Sequence, residues 1–125
     1  TVGDYQMFAN ERDNKNYDIF VGGWFSDYND PLDFLNVMKT GVYDSYGLYS
    51  NSEYDSLIDS LTGENDNAKR LEIYQKLEDL LVAQDCGVAP LYYSDKHYYY
   101  QNWVKDFYTS SFGASQELYR ATVEK

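Results

Sequence analysis

The sequence has one cysteine, Cys86, one histidine, His97, and far fewer basic than acidic residues. A single cysteine excludes an internal disulfide and, within one chain, a zinc site built from cysteines, so we expect Cys86 to be a small buried residue. The net charge of −11 at pH 7 argues against nucleic-acid and anionic-lipid partners, because no basic stripe can neutralise phosphates. The sequence also lacks an apolar run long enough to cross a bilayer.

Motifs of common enzyme and cofactor sites are missing as well. The sequence contains no Gly-x-Ser-x-Gly, no Walker A motif and no Gly-x-Gly-x-x-Gly. Asp27, Asn29 and Asp30 suggest a calcium loop, but Pro31 stands where a third ligand is needed. We therefore expect no catalysis, no metal and no cofactor.

Two alternatives remain open from the residues alone. Asp27 with Glu53 or Asp55 could form the carboxylate pair of a hydrolase, although the sequence does not set their separation. The 15 tyrosines, with tryptophan and carboxylates, could instead form a carbohydrate-binding module, although most tyrosines are expected to pack on a sheet. The sole histidine, His97, is expected to be an ordinary strand residue.

The most distinctive run is residues 22–31, Gly-Gly-Trp-Phe-Ser-Asp-Tyr-Asn-Asp-Pro. The two glycines favour a bulge or a close backbone approach, and Asp30-Pro31 is a helix-start signal with Asp30 as the N-cap. The run therefore predicts an aromatic turn with one acid, Asp27, between a strand and a helix. Asp27 could pair with an ammonium group or act as an acid, or it could simply cap or solvate the turn.

Hydrophobic periodicity predicts an α/β protein with helices packed on a small mixed sheet. A helix from Pro31 should stop at Gly41, a capping box at Ser50–Glu53 should start a helix, and Asp66 should cap the longest one. The expected buried stripes are Tyr54, Leu57, Ile58, Leu61 and Leu71, Tyr74, Leu77, Leu81. The remaining predictions are helices at 4–12 and 67–84, strands at 17–24, 88–93, 97–101 and 118–123, and loops at 41–50 and 102–116.

Five ordered motifs resemble the C-terminal part of the extracytoplasmic solute-binding proteins of peptide ABC importers, the oligopeptide- and dipeptide-binding family (bacterial solute-binding protein family 5). They are Tyr-Asp-Ile at 17–19, Gly-Trp-x-x-Asp-Tyr-Asn-Asp-Pro at 23–31, Tyr-Ser-Asn-x-Glu-Tyr-Asp at 49–55, Ala-Lys-Arg at 68–70 and Val-Ala-Pro-Leu-Tyr-Tyr at 88–93. The resemblance implies a fragment of a two-lobed, class II periplasmic-binding-protein-like fold. The start without methionine also predicts a mature product or a fragment.

The resemblance further implies a domain division and a set of ligand-binding residues. Residues 1–93 would belong to the C-terminal lobe, and residues 94–125 would cross the hinge and return to the first lobe. Asp27 would pair with the free α-amino group of a bound peptide. The segment Gly23-Trp24-Phe25-Ser26 would be the edge along which the peptide lies, and Tyr92 and Tyr93 match aromatic residues near the hinge.

The partners implied are a peptide ligand and, through the intact parent, the permease subunits of an ABC transporter. The implied location is extracytoplasmic, either in the periplasm or lipid-anchored on the outer face of the cell membrane. Residues 95–125, separated from first-lobe strands, could pair between chains and give a homodimer of the fragment.

Overall fold

The structure, a computed structural model, describes residues 4–42, 48–113 and 118–124. The described residues divide into two compact units. The first contains residues up to Trp24 together with Asp30–Pro90, and the second contains Phe25–Asn29 together with the residues from Leu91 onward. The elements are α1 (Tyr5–Asp13), α2 (Leu32–Leu35), α3 (Ser52–Ser60), α4 (Asn67–Glu78), β1 (Val104–Lys105) and β2 (Thr122–Val123). None of the described helices combines the length and apolar character needed to cross a bilayer.

Side-chain caps explain where three helices of the first unit begin. The Asp4 carboxylate accepts from the backbone N–H of Met7 at 2.9 Å, so α1 lies within a residue of its predicted bounds. Asp66 accepts from Ala68 N at 2.9 Å and starts α4 as predicted. The predicted capping box is wrong in its cap: Asn51, not Ser50, is the N-cap of α3, because its side-chain oxygen accepts from the N–H groups of Glu53 and Tyr54.

The core of the first unit forms where α2, α3 and α4 pack together. Tyr54, Ile58 and Leu61 are buried as their spacing predicts, whereas Leu71 is exposed. Hydrophobic periodicity predicts which side chains share a helix face, but burial also requires another element to pack against that face. A π-helical turn, Asp79–Gln84, extends α4 and presents two consecutive leucines to the core. The whole buried cluster is Leu35, Tyr54, Ile58, Leu61, Tyr74, Leu77, Leu80 and Leu81.

The strands differ more from prediction than the helices do. Residues 17–24, 88–93 and 97–101 form no strand, because none of them pairs with a neighbouring strand in the described part of the chain. The sheet instead consists of two antiparallel strands of the second unit, with Val104 opposite Val123. The strand β1 lies in a region predicted as loop, and β2 covers only the end of the predicted strand 118–123.

One predicted helix stop is confirmed, while another helix stop and one burial prediction are wrong. Gly63, with φ +81°, follows the end of α3 in the left-handed conformation that ends helices. The helix predicted to run from Pro31 to Gly41 ends earlier, because α2 passes into a 3₁₀ turn (Asn36–Met38) whose C-cap, Lys39, is extended. Cys86 is exposed rather than buried, because it has φ +50° in the turn that follows the π-helical segment and not on the helix face. The predicted loop at 41–50 falls largely on residues 43–47, which lie outside the described residues.

Candidate functional site

Trp24 is held to α2 by a buried acid. Its indole Nε1 donates to Oδ2 of Asp33 at 3.2 Å, and Asp33 is only 6% exposed. A hydrogen bond from a ring nitrogen to a fixed acceptor restricts the orientation of the whole indole plane. The sequence does not predict this contact. It predicts Asp33 only as a favourable negative charge at the start of a helix, and the nine-residue separation from Trp24 corresponds to no helix or strand period.

Asp30 closes the run at the other end. Its Oδ1 accepts from Leu32 N, the first N–H of α2, at 2.8 Å, although the N-cap position is Pro31 and not Asp30 as predicted, because α2 begins at Leu32. Its Oδ2 lies 2.8 Å from Nη2 of Arg70, and the Tyr74 hydroxyl also donates to its carboxylate. The cap is therefore also the point where the run is joined to α4.

Arg70 extends the same network to the end of α3. Its Nη1 donates to the carbonyl oxygens of Leu61, at 3.3 Å, and Glu64, at 3.1 Å. Leu61 is the C-cap of α3 and Glu64 lies in the connection to α4, so the guanidinium joins the end of α3 and this connection to α4. We call Asp30, Arg70 and Tyr74 the Asp30 cluster.

The ionisation of the Asp30 cluster follows from these contacts. Burial acts to raise the pKa of the Asp30 carboxyl, but the hydrogen bonds from Tyr74 and Leu32 and the charge of Arg70 outweigh it, so the pKa lies below its usual value. Burial and the neighbouring Asp30 carboxylate raise the pKa of Tyr74 to about 12. Burial acts to lower the pKa of Arg70, while Tyr74 and Asp30 raise it above its usual value. At neutral pH the cluster is therefore an ion pair with a neutral phenol.

The middle of the run lies in the second unit. The carbonyl of Ser26 accepts from Gly113 N at 2.9 Å, and the Ser26 hydroxyl donates to the carbonyl of Tyr28. Gly113 has φ +60°, and a Cβ added there would lie 3.4 Å from the carbonyl oxygen of Asp27. A glycine therefore suits this place both for its backbone conformation and for the close approach of the 25–29 segment.

Three aromatic side chains predicted for the site, Phe25, Tyr92 and Tyr93, are strongly exposed. Phe25 is 65% exposed, and Nζ of Lys96 lies 4.7 Å from its ring centroid, a cation–π distance. Tyr92 and Tyr93 are 82% and 98% exposed, and the Asp27 residue is exposed as well. The sequence did not point to Lys96 or Gly113, because both come from a region far along the chain.

The predicted site residues are divided between the two units. Gly23 and Trp24 belong to the first unit, whereas Phe25, Ser26, Asp27, Tyr92 and Tyr93 belong to the second. Of the acids considered as a hydrolase partner, Asp55 is engaged by Thr40 N at 3.0 Å. Within the described ranges, no group of three or more histidine, cysteine or acidic side chains is arranged to hold a metal ion.

Comparison with known proteins identifies several oligopeptide-binding proteins among the relatives of the chain. No family model matches the chain. The chain is 30% identical over 101 residues to the periplasmic oligopeptide-binding protein OppA of Salmonella typhimurium strain LT2, a match that covers 81% of the chain and 18% of that protein. It is 30% identical over 105 residues to the oligopeptide-binding protein OppA of Bacillus subtilis strain 168, covering 82% of the chain and 18% of that protein.

The fold comparison agrees with the sequence comparison. The chain superimposes with a TM-score of 0.86 and 28% identity on the substrate-binding domain of an oligopeptide ABC transporter from Bacillus anthracis strain Ames. The match covers the entire chain and 24% of that structure. The α/β fold class and the relation to the periplasmic-binding-protein fold are thereby confirmed. The chain spans only about a fifth of the length of the curated relatives it matches.

Proposed function

We propose that this chain, which is homologous to a segment of the oligopeptide-binding proteins of ABC importers, is part of a solute-binding protein that captures oligopeptides outside the cytoplasm for transport. The observation that carries the proposal is the fold match over the entire chain to an oligopeptide transporter's substrate-binding domain. The relatives are named as binding proteins, which supports a function in binding without catalysis.

Asp27 is the proposed partner of the peptide's free α-amino group. It is exposed in the second unit, with the aromatic Phe25 two residues before it. A carboxylate that accepts from a bound ammonium group forms a charge-assisted hydrogen bond. Truncating one member of such a pair costs about 2–5 kcal/mol of binding free energy.

The backbone from Gly23 to Ser26 is the proposed edge along which the peptide lies. Main-chain hydrogen bonds to an extended ligand read the peptide backbone and not its side chains, so broad specificity follows. The Ser26 carbonyl already accepts from Gly113, but a carbonyl oxygen has two lone pairs and can accept a second donor. The indole of Trp24, within the first half of this segment, is held on α2 by Asp33.

The lobe assignment is a further part of the proposal. Residues 1–93 form the C-terminal lobe segment, and residues 94–125 return across the hinge to the first lobe. The change of compact unit between Pro90 and Leu91 supports a boundary close to this position. The exposure of Tyr92 and Tyr93 suits side chains that line a hinge or meet a ligand.

The partners and location follow from the same relatives. The intact protein would deliver its peptide to the permease subunits of an ABC importer. It would work in the periplasm or anchored by lipid to the outer face of the cell membrane, since the relatives are periplasmic or transporter-associated binding proteins. The isolated fragment would form a homodimer through residues 95–125, which in the intact parent would pair with strands of the first lobe.

Mass spectrometry of ligands released from the full-length protein tests the function directly. Peptides should be recovered. Calorimetry then tests the site with one peptide in free-amine and N-acetylated forms, using Asp27→Asn and a charge-matched control, Glu72→Gln, at an exposed position of α4. The Asp27 variant should weaken the free-amine peptide much more than the acetylated one, and Glu72→Gln should leave both unchanged.

Each outcome bears on a separate part of the proposal. Release of sugars, or of no peptide, would contradict the peptide-binding function. Recovery of peptides with equal losses for both peptide forms would leave the function intact and contradict the amine-pairing role of Asp27.

A further inference from the structure

Residues 25–29 contact two later stretches of the chain within the second unit. The backbone N–H of Gly113 donates to the carbonyl of Ser26 at 2.9 Å. Nζ of Lys96 lies 4.7 Å from the centroid of the Phe25 ring. All four of these residues belong to the second unit, so the contacts do not depend on the first. The 25–29 segment is therefore attached to its own unit through both a backbone and a side-chain contact.

The Gly113 N–H is presented by a bend that Ser110 stabilises. The Ser110 hydroxyl donates to the carbonyl of Phe112 at 2.7 Å and accepts from Phe112 N at 3.2 Å. Gly113 follows with φ +60°, a left-handed conformation that glycine adopts without steric cost. We call residues 110–113 the Gly113 bend. Its serine and its glycine together set the direction in which the Gly113 N–H points.

The Gly113 bend also lies close to the backbone of Asp27. A Cβ added at Gly113 would lie 3.4 Å from the carbonyl oxygen of Asp27. On the other side, the hydroxyl of Ser26 donates to the carbonyl of Tyr28, so a hydrogen bond spans Asp27. Binding groups need to be held within about 0.5 Å of their productive geometry to be effective. The contacts on the backbone of Ser26, Asp27 and Tyr28 are suited to hold the Asp27 carboxylate in one place.

We propose that the Gly113 bend positions Asp27 for recognition of the peptide's free α-amino group, with Gly113 and Ser110 as positioning residues. The inference rests on the proposed function. Neither residue touches the peptide in this proposal, and both act through the backbone of Ser26 and Asp27. Their loss should therefore reduce the preference for a free amine, whereas a purely structural role would weaken free-amine and N-acetylated peptides equally.

The chain offers a matched pair of glycine variants for the test. Gly113 and Gly63 both have a left-handed conformation, with φ of +60° and +81°, so alanine is strained at either position. Gly63 lies in the first unit between α3 and α4, and no atom of the described residues lies within 4 Å of a Cβ added there. Gly113→Ala disturbs the bend beside Asp27, and Gly63→Ala places a similar backbone strain elsewhere.

A milder pair of serine variants removes hydroxyl hydrogen bonds of similar kind. Ser110→Ala removes the bonds to Phe112, while Ser60→Ala removes a 2.7 Å bond to the carbonyl of Leu57 in the first unit. Both serines form these bonds at exposed places, so both variants are expected to fold.

Calorimetry on the full-length protein measures the affinities of all four variants. The probe is a synthetic copy of a peptide that mass spectrometry recovers from the protein, prepared with a free amine and in N-acetylated form. Gly113→Ala should weaken the free-amine peptide about tenfold and the acetylated one by no more than about twofold, since only the amine needs the Asp27 carboxylate. Ser110→Ala should weaken the free-amine peptide about threefold, and both controls should leave both affinities within about twofold.

Equal losses for the two peptide forms, or no loss in either, would overturn the proposal. If Gly113→Ala does not fold, the comparison of Ser110→Ala with Ser60→Ala decides by the same criterion. A wild-type protein that binds both peptide forms equally would contradict the amine-pairing role of Asp27 itself. Recovery of no peptide would contradict the proposed function, and this inference with it.

Discussion

Replacing Asp30 by alanine removes the acceptor at which α2 and α4 meet. The substitution leaves the Arg70 guanidinium without its carboxylate, the Tyr74 hydroxyl without its acceptor and Leu32 N without its cap. Arg70 keeps its bonds to the carbonyls of Leu61 and Glu64, so the arginine remains partly satisfied.

The magnitude follows from the groups that lose partners. Hydrogen bonds to a charged group contribute about 1.5–3 kcal/mol, and losing a helix cap costs about 1 kcal/mol. Asp30 is partly exposed, so water replaces some of the lost bonds and reduces the effect. We expect the free energy of unfolding of the first unit to fall by about 3 kcal/mol for Asp30→Ala.

Far-ultraviolet circular dichroism during urea unfolding measures this loss, because α1 to α4 all lie in the first unit. The control is Asp59→Ala, which breaks the Lys39–Asp59 pair on the surface of the same unit. Exposed pairs contribute about 0–1 kcal/mol, so the control should be nearly neutral. Equal losses of unfolding free energy for the two variants would refute the argument that partial burial and additional hydrogen-bond donors make the Asp30–Arg70 pair more stabilising than an exposed pair.

The pH dependence gives a second check on Asp30. Its pKa in the folded state lies below the unfolded value of about 3.9, so its contribution is complete above that value and is lost as the pH falls through the folded-state pKa. The difference in stability between wild type and Asp30→Asn should therefore be constant near neutrality and shrink in acid. A difference that stays constant throughout acid titration would contradict the ionic contribution.

Two further predictions concern burial. Leu77→Ala should cost about 2–5 kcal/mol of unfolding free energy, because Leu77 is buried in the core. Leu71→Ala on the same helix should cost under about 1 kcal/mol, because Leu71 is exposed. Equal losses in urea unfolding would contradict the assigned face of α4. Cys86 should react with a thiol reagent in the native protein as fast as in urea, because it is exposed; strong native protection would show that its side chain is covered.

Local signals in the sequence predict the helices well. Asp66 accepts the backbone N–H groups that its type and position suggest, and Gly63 follows the end of α3 in the left-handed conformation. These features depend on a few neighbouring residues and on 3.6-residue periodicity, so the information is contained within one stretch of chain. The π-helical turn after α4 carries no such signal, and it places both Leu80 and Leu81 in the core.

Strands are harder to predict for a physical reason. Residues 17–24 and 88–93 have strand-like composition but form no ladder among the described residues, while Val104 and Val123 pair from separate stretches. A strand exists only with its partner, and the partner's identity is a long-range property.

The sequence by itself determined the kind of protein and the location of the distinctive run. The ordered motifs from residue 17 to residue 93 can be recognised from the sequence alone, and the relatives agree with them. Only the tertiary structure decided how that run is held. Asp33 reaches Trp24, Arg70 and Tyr74 reach Asp30, and Gly113 reaches Ser26. These contacts join residues that have no fixed spacing in the sequence. They form because the packed fold brings a donor side chain within reach of a polar group that needs a partner.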